Sequence, residues 1–279
     1  MSKKWVIAGL TVLLFSTGAA WLTAAPSIGT VAATPAYVVV DTATPVLFTA
    51  QIADSSVIPT GVNLLNVDAA GKTIAIIGVM RDDGSSGDLK AGDKVFSLRA
   101  TVNRPAVGQA FYRVSAAFKG VLQRVQSSSI ELAVWSHYVD TESPVAFALP
   151  PEWSIENNDG VLGLSSPTLR QLRDDPESPP ANILVAIRAN ETLVPLDSFI
   201  RDNHGDWFGD YKVRTTPMVD GKPAIRFADW ESTIPHNPID AVFVSSGDVV
   251  VVVTFYPEDT APGARMVFDR FISTLSIEP

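Results

Sequence analysis

Residues 241–256 read Ala241-Val242-Phe243-Val244-Ser245-Ser246-Gly247-Asp248-Val249-Val250-Val251-Val252-Val253-Thr254-Phe255-Tyr256, and this stretch decides the fold class of the second half of the chain. Two β-rich runs flank Ser246-Gly247-Asp248. Glycine reaches the positive φ that a tight hairpin demands, so the runs are expected to pair antiparallel. Val249 to Val253 shows no alternation, which suits a central strand covered on both faces. It is far too short to cross a membrane. Beyond the hairpin, Met266, Val267, Arg270, Phe271, Thr274 and Leu275 place an apolar stripe on a terminal helix, with Pro262 near its start. Strands followed by a covering helix predict an α+β domain with an antiparallel sheet.

Working outward, Tyr211–Thr216 and Ala224–Trp230 read as strands joined across Val219-Asp220-Gly221-Lys222-Pro223. Ile183–Arg188 is a strand after a polar, Pro-rich stretch from Arg173 to Asn182. Leu196, Phe199 and Ile200 follow Pro195 with helical spacing. The first half has a different grammar. Strand-like runs at Val46–Ile52, Val62–Val67, Thr73–Met80, Val95–Val102, Phe111–Phe118 and Ile130–Trp135 are separated by turn residues, without sustained helical periodicity. That pattern predicts an all-β sandwich. The polar, Pro-punctuated stretch Ser136–Pro144 is the expected boundary. The expected organisation is a signal peptide or N-terminal anchor over 1–25, a linker over 26–44, a β-sandwich over 45–136 and an α+β domain over 145–279. No internal repeat links the halves.

Lys3 and Lys4 precede an uncharged stretch from Trp5 to Ala25, the layout of a secretory signal. Small residues near Ala20 and Ala33 offer cleavage points, and an uncleaved anchor is the competing reading. Export places the protein in the periplasm, at the cell surface or outside the cell. The chain carries 21 Lys plus Arg against 30 Asp plus Glu, a net charge of −9, which argues against a nucleic-acid partner. Loss of Lys3 and Lys4 leaves 19 basic residues against 30, near −11. Cysteine is absent from the 279 residues, which excludes disulfides, thiolate metal sites and a cysteine nucleophile. An exported chain of this kind must fold on its hydrophobic cores alone.

The first half resembles bacterial Ig-like modules of the choice-of-anchor type. The resemblance rests on Ile58-Pro59-Thr60-Gly61-Val62-Asn63-Leu64-Leu65, Gly78-Val79-Met80-Arg81-Asp82-Asp83-Gly84, Gly87-Asp88-Leu89-Lys90-Ala91-Gly92-Asp93 and Tyr112-Arg113-Val114-Ser115-Ala116-Ala117-Phe118-Lys119-Gly120. It implies an extracytoplasmic spacer or binding scaffold and no chemistry. The second half is similar to PsbP-like domains in the order of its elements. These are the opening Leu149-Pro150-Pro151-Glu152-Trp153, two hairpins, and a closing helix with Phe268, Phe271 and Leu275. That similarity carries no functional residues across, because fold does not fix function.

The sharpest local feature is Asp82-Asp83-Gly84-Ser85-Ser86-Gly87-Asp88, with Asp93 beyond it. Calcium wants six to eight oxygens, and Asp82, Asp83, Asp88 and Asp93 are the candidate ligands. Gly84 stands where an EF-hand needs an oxygen ligand, and position twelve is Asp93 rather than Glu, so this is no EF-hand. The pattern favours a tight exposed connection whose Asp side chains bond the backbone. His137, His204 and His236 each stand alone, and no HExxH occurs. Gly163-Leu164-Ser165-Ser166-Pro167 only partly matches a nucleophile elbow. His204-Gly205-Asp206-Trp207 and Asp229-Trp230-Glu231 set carboxylates beside aromatics, which carbohydrate sites also do. Trp135, Trp153, Trp207 and Trp230 read mainly as core.

No catalytic residue is assigned, and no cofactor is expected beyond calcium at the Asp loop. The leading expectation is a non-enzymatic exported binding or scaffolding protein whose partner is an unknown protein or envelope component. Membrane contact would come only through a retained N-terminal segment. The alternatives are an extracytoplasmic assembly subunit of a membrane or secretion complex, docking through its acidic surface, and a hydrolase acting on polysaccharide or peptide.

Overall fold

The structure, a computed structural model, describes residues 25–167, 169, 182–205, 211–230, 239–256 and 264–278. The expected signal up to Ala24, most of the Arg173–Asn182 stretch, Asp206, Trp207, Glu231, His236 and Pro262 lie outside the described residues.

The first half runs β1 (Val31–Thr34), β2 (Tyr37–Val39), β3 (Thr44–Gln51), β4 (Val57–Val67), β5 (Thr73–Val79), β6 (Val95–Val102), β7 (Gly108–Phe118), β8 (Val125–Gln126) and β9 (Ile130–Val139). It continues with β10 (Val145–Leu149), β11 (Ser154–Asn158), β12 (Val161–Ser165), β13 (Ile183–Ala189), α1 (Leu196–His204), β14 (Tyr211–Thr215) and β15 (Met218–Val219). The chain closes with β16 (Lys222–Trp230), β17 (Asp240–Ser246), β18 (Val249–Phe255), α2 (Ala264–Thr274) and β19 (Ser276–Ile277).

A three-stranded sheet has the order β1-β3-β6. A second sheet runs β19-β10-β9-β7-β4-β5, with β2 beside β9 and β8 beside β7. The pairing of β2 with β9 is parallel, and the other ladders named here are antiparallel. Alternate residues of the facing strands point to one core: Val46, Phe48 and Ala50 from β3, and Ala110, Tyr112, Val114, Ala116 and Phe118 from β7. This period-two burial is what an extended chain does with one wet face. Phe48 and Tyr112 meet across the core with ring centroids 4.8 Å apart.

The third sheet has the order β11-β12-β13-β18-β17-β16-β14. β18 lies between β13 and β17, as the unbroken valine run requires. Val251 and Val253 join Phe268, Phe271 and Leu275 under α2. Val250 and Val252 join Phe199 and Ile200 under α1 on the opposite face. Gly247 turns the β17–β18 hairpin with φ +60, the conformation its position demands.

Four expectations are corrected. The linker over 26–44 contains β1 and β2, and its Val38 is wholly buried. Its Ala, Thr and Pro content is that of short edge strands as much as of a linker. The boundary Ser136–Pro144 is half strand, because β9 runs through to Val139. β10, β11, β12 and β19 were not legible as strands: Pro144 and Pro150 bracket β10, whose five residues are all buried. The stripe on α2 is centred on Phe268 and Phe271, both fully buried, while Met266 is 50% exposed.

Candidate functional site

The Asp loop begins where β5 ends. Backbone bonds in both directions join Arg81 to Ser97 of β6, at 2.8 and 2.7 Å, so the chain passes here from one sheet to the edge of the other. The returning strand fixes both ends of the loop. Asp82, Asp88 and Asp93 converge, with one carboxylate oxygen from each within 4.8 Å of the others. Asp88 is buried, Asp82 half-buried and Asp93 exposed. Asp83, the fourth expected ligand, turns away. Its carboxylate accepts from the backbone N–H and hydroxyl of Ser85 at 3.0 and 2.5 Å and lies 3.9 Å from Arg81. The Ser85 hydroxyl leads in holding the exposed Asp83 carboxyl below its ordinary range.

The converging carboxylates are engaged by the backbone. Asp82 Oδ1 accepts from the N–H groups of Gly92 and Asp93 at 2.8 and 3.1 Å, and Oδ2 from that of Lys94 at 3.2 Å. Asp88 accepts from Gly84 N at 2.7 Å and Lys90 N at 3.3 Å, and Asp93 from Val95 N at 3.0 Å. Gly87 packs into this framework at φ +100, where an added Cβ would stand 2.7 Å from Leu47 Cδ1. A carboxylate has about four lone-pair sites, so the loop is stapled while some acceptor capacity remains. The arrangement joins the two sheets through backbone bonds to its carboxylates.

The other candidates are scattered. His137 is exposed on β9. His204 ends α1 against the ring of Phe243, with centroids 5.2 Å apart. Burial, with the Arg188 charge second, pushes its imidazole below the usual range. In the partial nucleophile elbow the serine in the nucleophile's place, Ser165, ends β12 half-buried opposite Ser154 of β11; its neighbour Ser166 is buried, its hydroxyl accepting from Leu169 N at 3.1 Å and its N–H donating to Asn182 Oδ1 at 2.7 Å. It acts as a local cap. A cleft of about 330 Å³ brings Glu191 and Asp202 to one mouth beside Phe199. No spacing rule pointed to this pair, since the two belong to a loop and a helix face eleven positions apart. Trp135 is buried and Trp153 partly so.

A seam between the halves was among the expected working surfaces, but the residues that build it were not foreseen. The first part of β9 pairs with β7, Ile130 to Val134 opposite Tyr112 to Gly108, and its last part, Ser136–Val139, pairs with β10. Trp135 sits at the change of partner and stacks on Tyr37 of β2, with centroids 4.6 Å apart. The Arg270 guanidinium of α2 lies over both rings, 4.7 Å from Tyr37 and 5.8 Å from Trp135. The Tyr37 and Ser273 hydroxyls are 3.3 Å apart, and Ala148 N donates to Thr274 Oγ1 at 3.1 Å. In the turn between β9 and β10, Asp140 accepts from Tyr138 Oη at 3.0 Å and from the Ser143 hydroxyl. Burial raises the Asp140 carboxyl, and these two bonds together with the backbone N–H groups of Ser143 and Glu142 more than offset it, leaving it below its ordinary range.

α2 is held from its other side by charge. Arg226 donates to Asp240 through Nε at 3.0 Å and Nη2 at 2.6 Å, and to Asp269 of α2 at 2.7 Å. Arg265 of α2 reaches Asp240 at 2.7 Å. Asp240 foremost holds Arg226 more firmly protonated than a free guanidinium.

Compared with known protein families and with curated proteins, the sequence matches none. Among solved structures it is similar to the solution structure of cyanobacterial PsbP (CyanoP) from Synechocystis sp. PCC 6803, at 14% identity and a TM-score of 0.36, covering 52% of this chain and 92% of that one. A likeness of that strength assigns neither family nor function. Among the described residues, no helix is long and apolar enough to cross a membrane.

Proposed function

We propose that this chain is a non-enzymatic exported protein of the bacterial envelope or exterior, a scaffold in which an Ig-like sandwich holds a PsbP-like α+β domain in fixed orientation. The observation that carries the reading is the seam: β10 and β19 extend the sheet of the first half beyond β9, and Arg270 of α2 rests on Tyr37 and Trp135. A flexible tether needs neither feature, and relative motion is the default where domains meet over a small polar surface. Three separate core clusters support the division, one from residues 38–134 and two from residues 145–277. The basic, then apolar, N-terminus supports export.

Two measurements test this. Residues 1–25 fused to a reporter active only outside the cytoplasm should give signal, and Lys3→Glu with Lys4→Glu should reduce it; a silent fusion removes the export reading. A tagged chain cross-linked in its native envelope should retain a discrete partner after detergent extraction. Recovery of the tagged chain alone, at the yield of a non-binding control, would count against a scaffold.

A further inference from the structure

Small residues offer a cleavage point near Ala20 and another near Ala33, and the fold separates the two. Ala33 lies inside β1, which pairs with β3 from Val31 opposite Ala50 to Thr34 opposite Leu47. Two further bonds extend this ladder at its start: Gly29 N donates to Gln51 O at 2.8 Å, and Gln51 N donates to Thr30 O at 2.9 Å. Ile28, Val31 and Ala33 pack against the core that holds Phe48 and Ala50. A cut after Ala33 would remove these three side chains. It would also leave β3 with an open edge, which invites pairing with foreign strands. The folded first half therefore needs the chain from Ile28 onward.

Ahead of Ile28 the sequence divides into the three parts of a cleavable leader. Lys3 and Lys4 supply the positive charge. Trp5–Phe15 is an uncharged run of eleven residues, apolar but for Gly9 and Thr11. That length lies within the roughly 7–15 residues of a leader's apolar region and falls short of the roughly 20 that span a bilayer. Ser16-Thr17-Gly18-Ala19-Ala20 follows, small throughout, and Gly18 and Ala20 take the two small positions of an Ala-x-Ala-like site. Thr23-Ala24-Ala25 has the same form, but the next residue is Pro26, whose ring nitrogen would sit in the bond to be cut. A cut at Ala33 would release a longer leader than the roughly 15–30 residues of such segments.

We infer that the bond between Ala20 and Trp21 is a processing site, cut by a membrane-bound signal endopeptidase during export. Water gives its oxygen to the new Ala20 carboxylate and its two protons to the Trp21 amine as the peptide bond breaks. The inference rests on the export reading and adds to it: the apolar segment is not kept as an anchor, and the mature chain carries β1 whole.

Expression of the full chain with a C-terminal tag in a bacterial host, followed by cell fractionation and N-terminal sequencing, tests it. Tagged chain recovered from outside the cytoplasm should begin Trp21-Leu22-Thr23-Ala24-Ala25. Ala19→Phe with Ala20→Phe should leave most of the exported chain uncut, because bulky side chains then fill the small positions. Wild-type chain outside the cytoplasm that is uncut, or that begins at any residue other than Trp21, overturns the inference and leaves export standing. A double variant cut as the wild type is also overturns it. Uncut wild-type chain confined to the cytoplasm overturns it together with the export reading.

Discussion

Asp240→Ala should be the most damaging single polar substitution in the second half of the chain. The Asp240 side chain is completely buried and accepts three close bonds from two guanidiniums: Arg226 Nε at 3.0 Å, Arg226 Nη2 at 2.6 Å and Arg265 Nη2 at 2.7 Å. Removing one member of a fully buried ion pair costs about 3–5 kcal/mol, mostly because the charge left behind is uncompensated. Here the abandoned charges are partly wet, since the side chains of Arg226 and Arg265 are 24 and 40% exposed. Asp269, 2.7 Å from Arg226, also stays in place as a counter-charge. These two facts lower the expected cost to about 2–4 kcal/mol. Urea unfolding should report it as a fall in midpoint at constant slope. The double variant Arg226→Met with Asp240→Leu should recover at least half of the loss, because an apolar pair leaves no stranded charge. A cost below about 0.5 kcal/mol for Asp240→Ala would show that water replaces the carboxylate freely, and would refute the reasoning. So would a double variant no better than the single.

Four further outcomes are expected. Asp220 accepts from Ile277 N at 2.8 Å and lies 3.3 Å from Lys222 Nζ, and the Ile277 bond leads in holding its carboxyl below 3.8. A depressed folded value means stability present above the unfolded pKa and lost as pH falls through the folded one. Asp220→Asn should therefore cost roughly 1–2 kcal/mol at neutral pH, and the gap should close in acid; a gap constant from pH 7 to pH 2 would sink this. Arg270→Ala should remove about 1 kcal/mol from a partly exposed cation–π contact and speed proteolysis in the Asp140–Pro144 turn; an unchanged cleavage rate would mean that Arg270 does not hold the seam. Asp82→Ala should cost about 1–2 kcal/mol, since the three N–H groups it strands lie in exposed residues open to water. Calcium at 10 mM should leave the wild-type melting temperature in place, whereas a site of 0.1 mM affinity would add roughly 2.7 kcal/mol.

The hairpin at Gly247 was legible because three signals agree there: β-branched residues, a glycine that meets a backbone need, and an apolar helix stripe to follow. β6 was readable to the residue, Val95–Val102, because turn chemistry bounds it on both sides. β10 and β19 were hidden for the opposite reason. Their strand character comes from neighbours far away in the chain: Ala146 pairs with Val139 on one side and Ser276 on the other. A run as short as Val145–Leu149 bracketed by prolines looks like a linker until those partners are in place. The seam was illegible on the same ground. Tyr37, Trp135 and Arg270 lie in three separate segments, and no spacing rule connects them.

The Asp loop shows what sequence can and cannot say about an acidic cluster. Four aspartates within twelve residues demand an explanation, because like charges held close repel. Two kinds of positive partner answer that demand: a cation, or the outward ends of backbone N–H dipoles. Composition does not distinguish them, since glycine-rich acidic turns serve both. Direction does. Asp82 spends its oxygens on three successive N–H groups, Gly92, Asp93 and Lys94, at the foot of β6. Asp88 reaches back to Gly84, and Asp93 forward to Val95. Each bond pins one part of the loop to another, and together they fix the crossing from β5 to β6 that closes the two sheets over one core. The acidity of the loop is thus first a device of the fold. Any affinity for a cation must be built from the acceptor sites left over, chiefly on Asp93, where a single backbone bond is made and the carboxylate faces solvent.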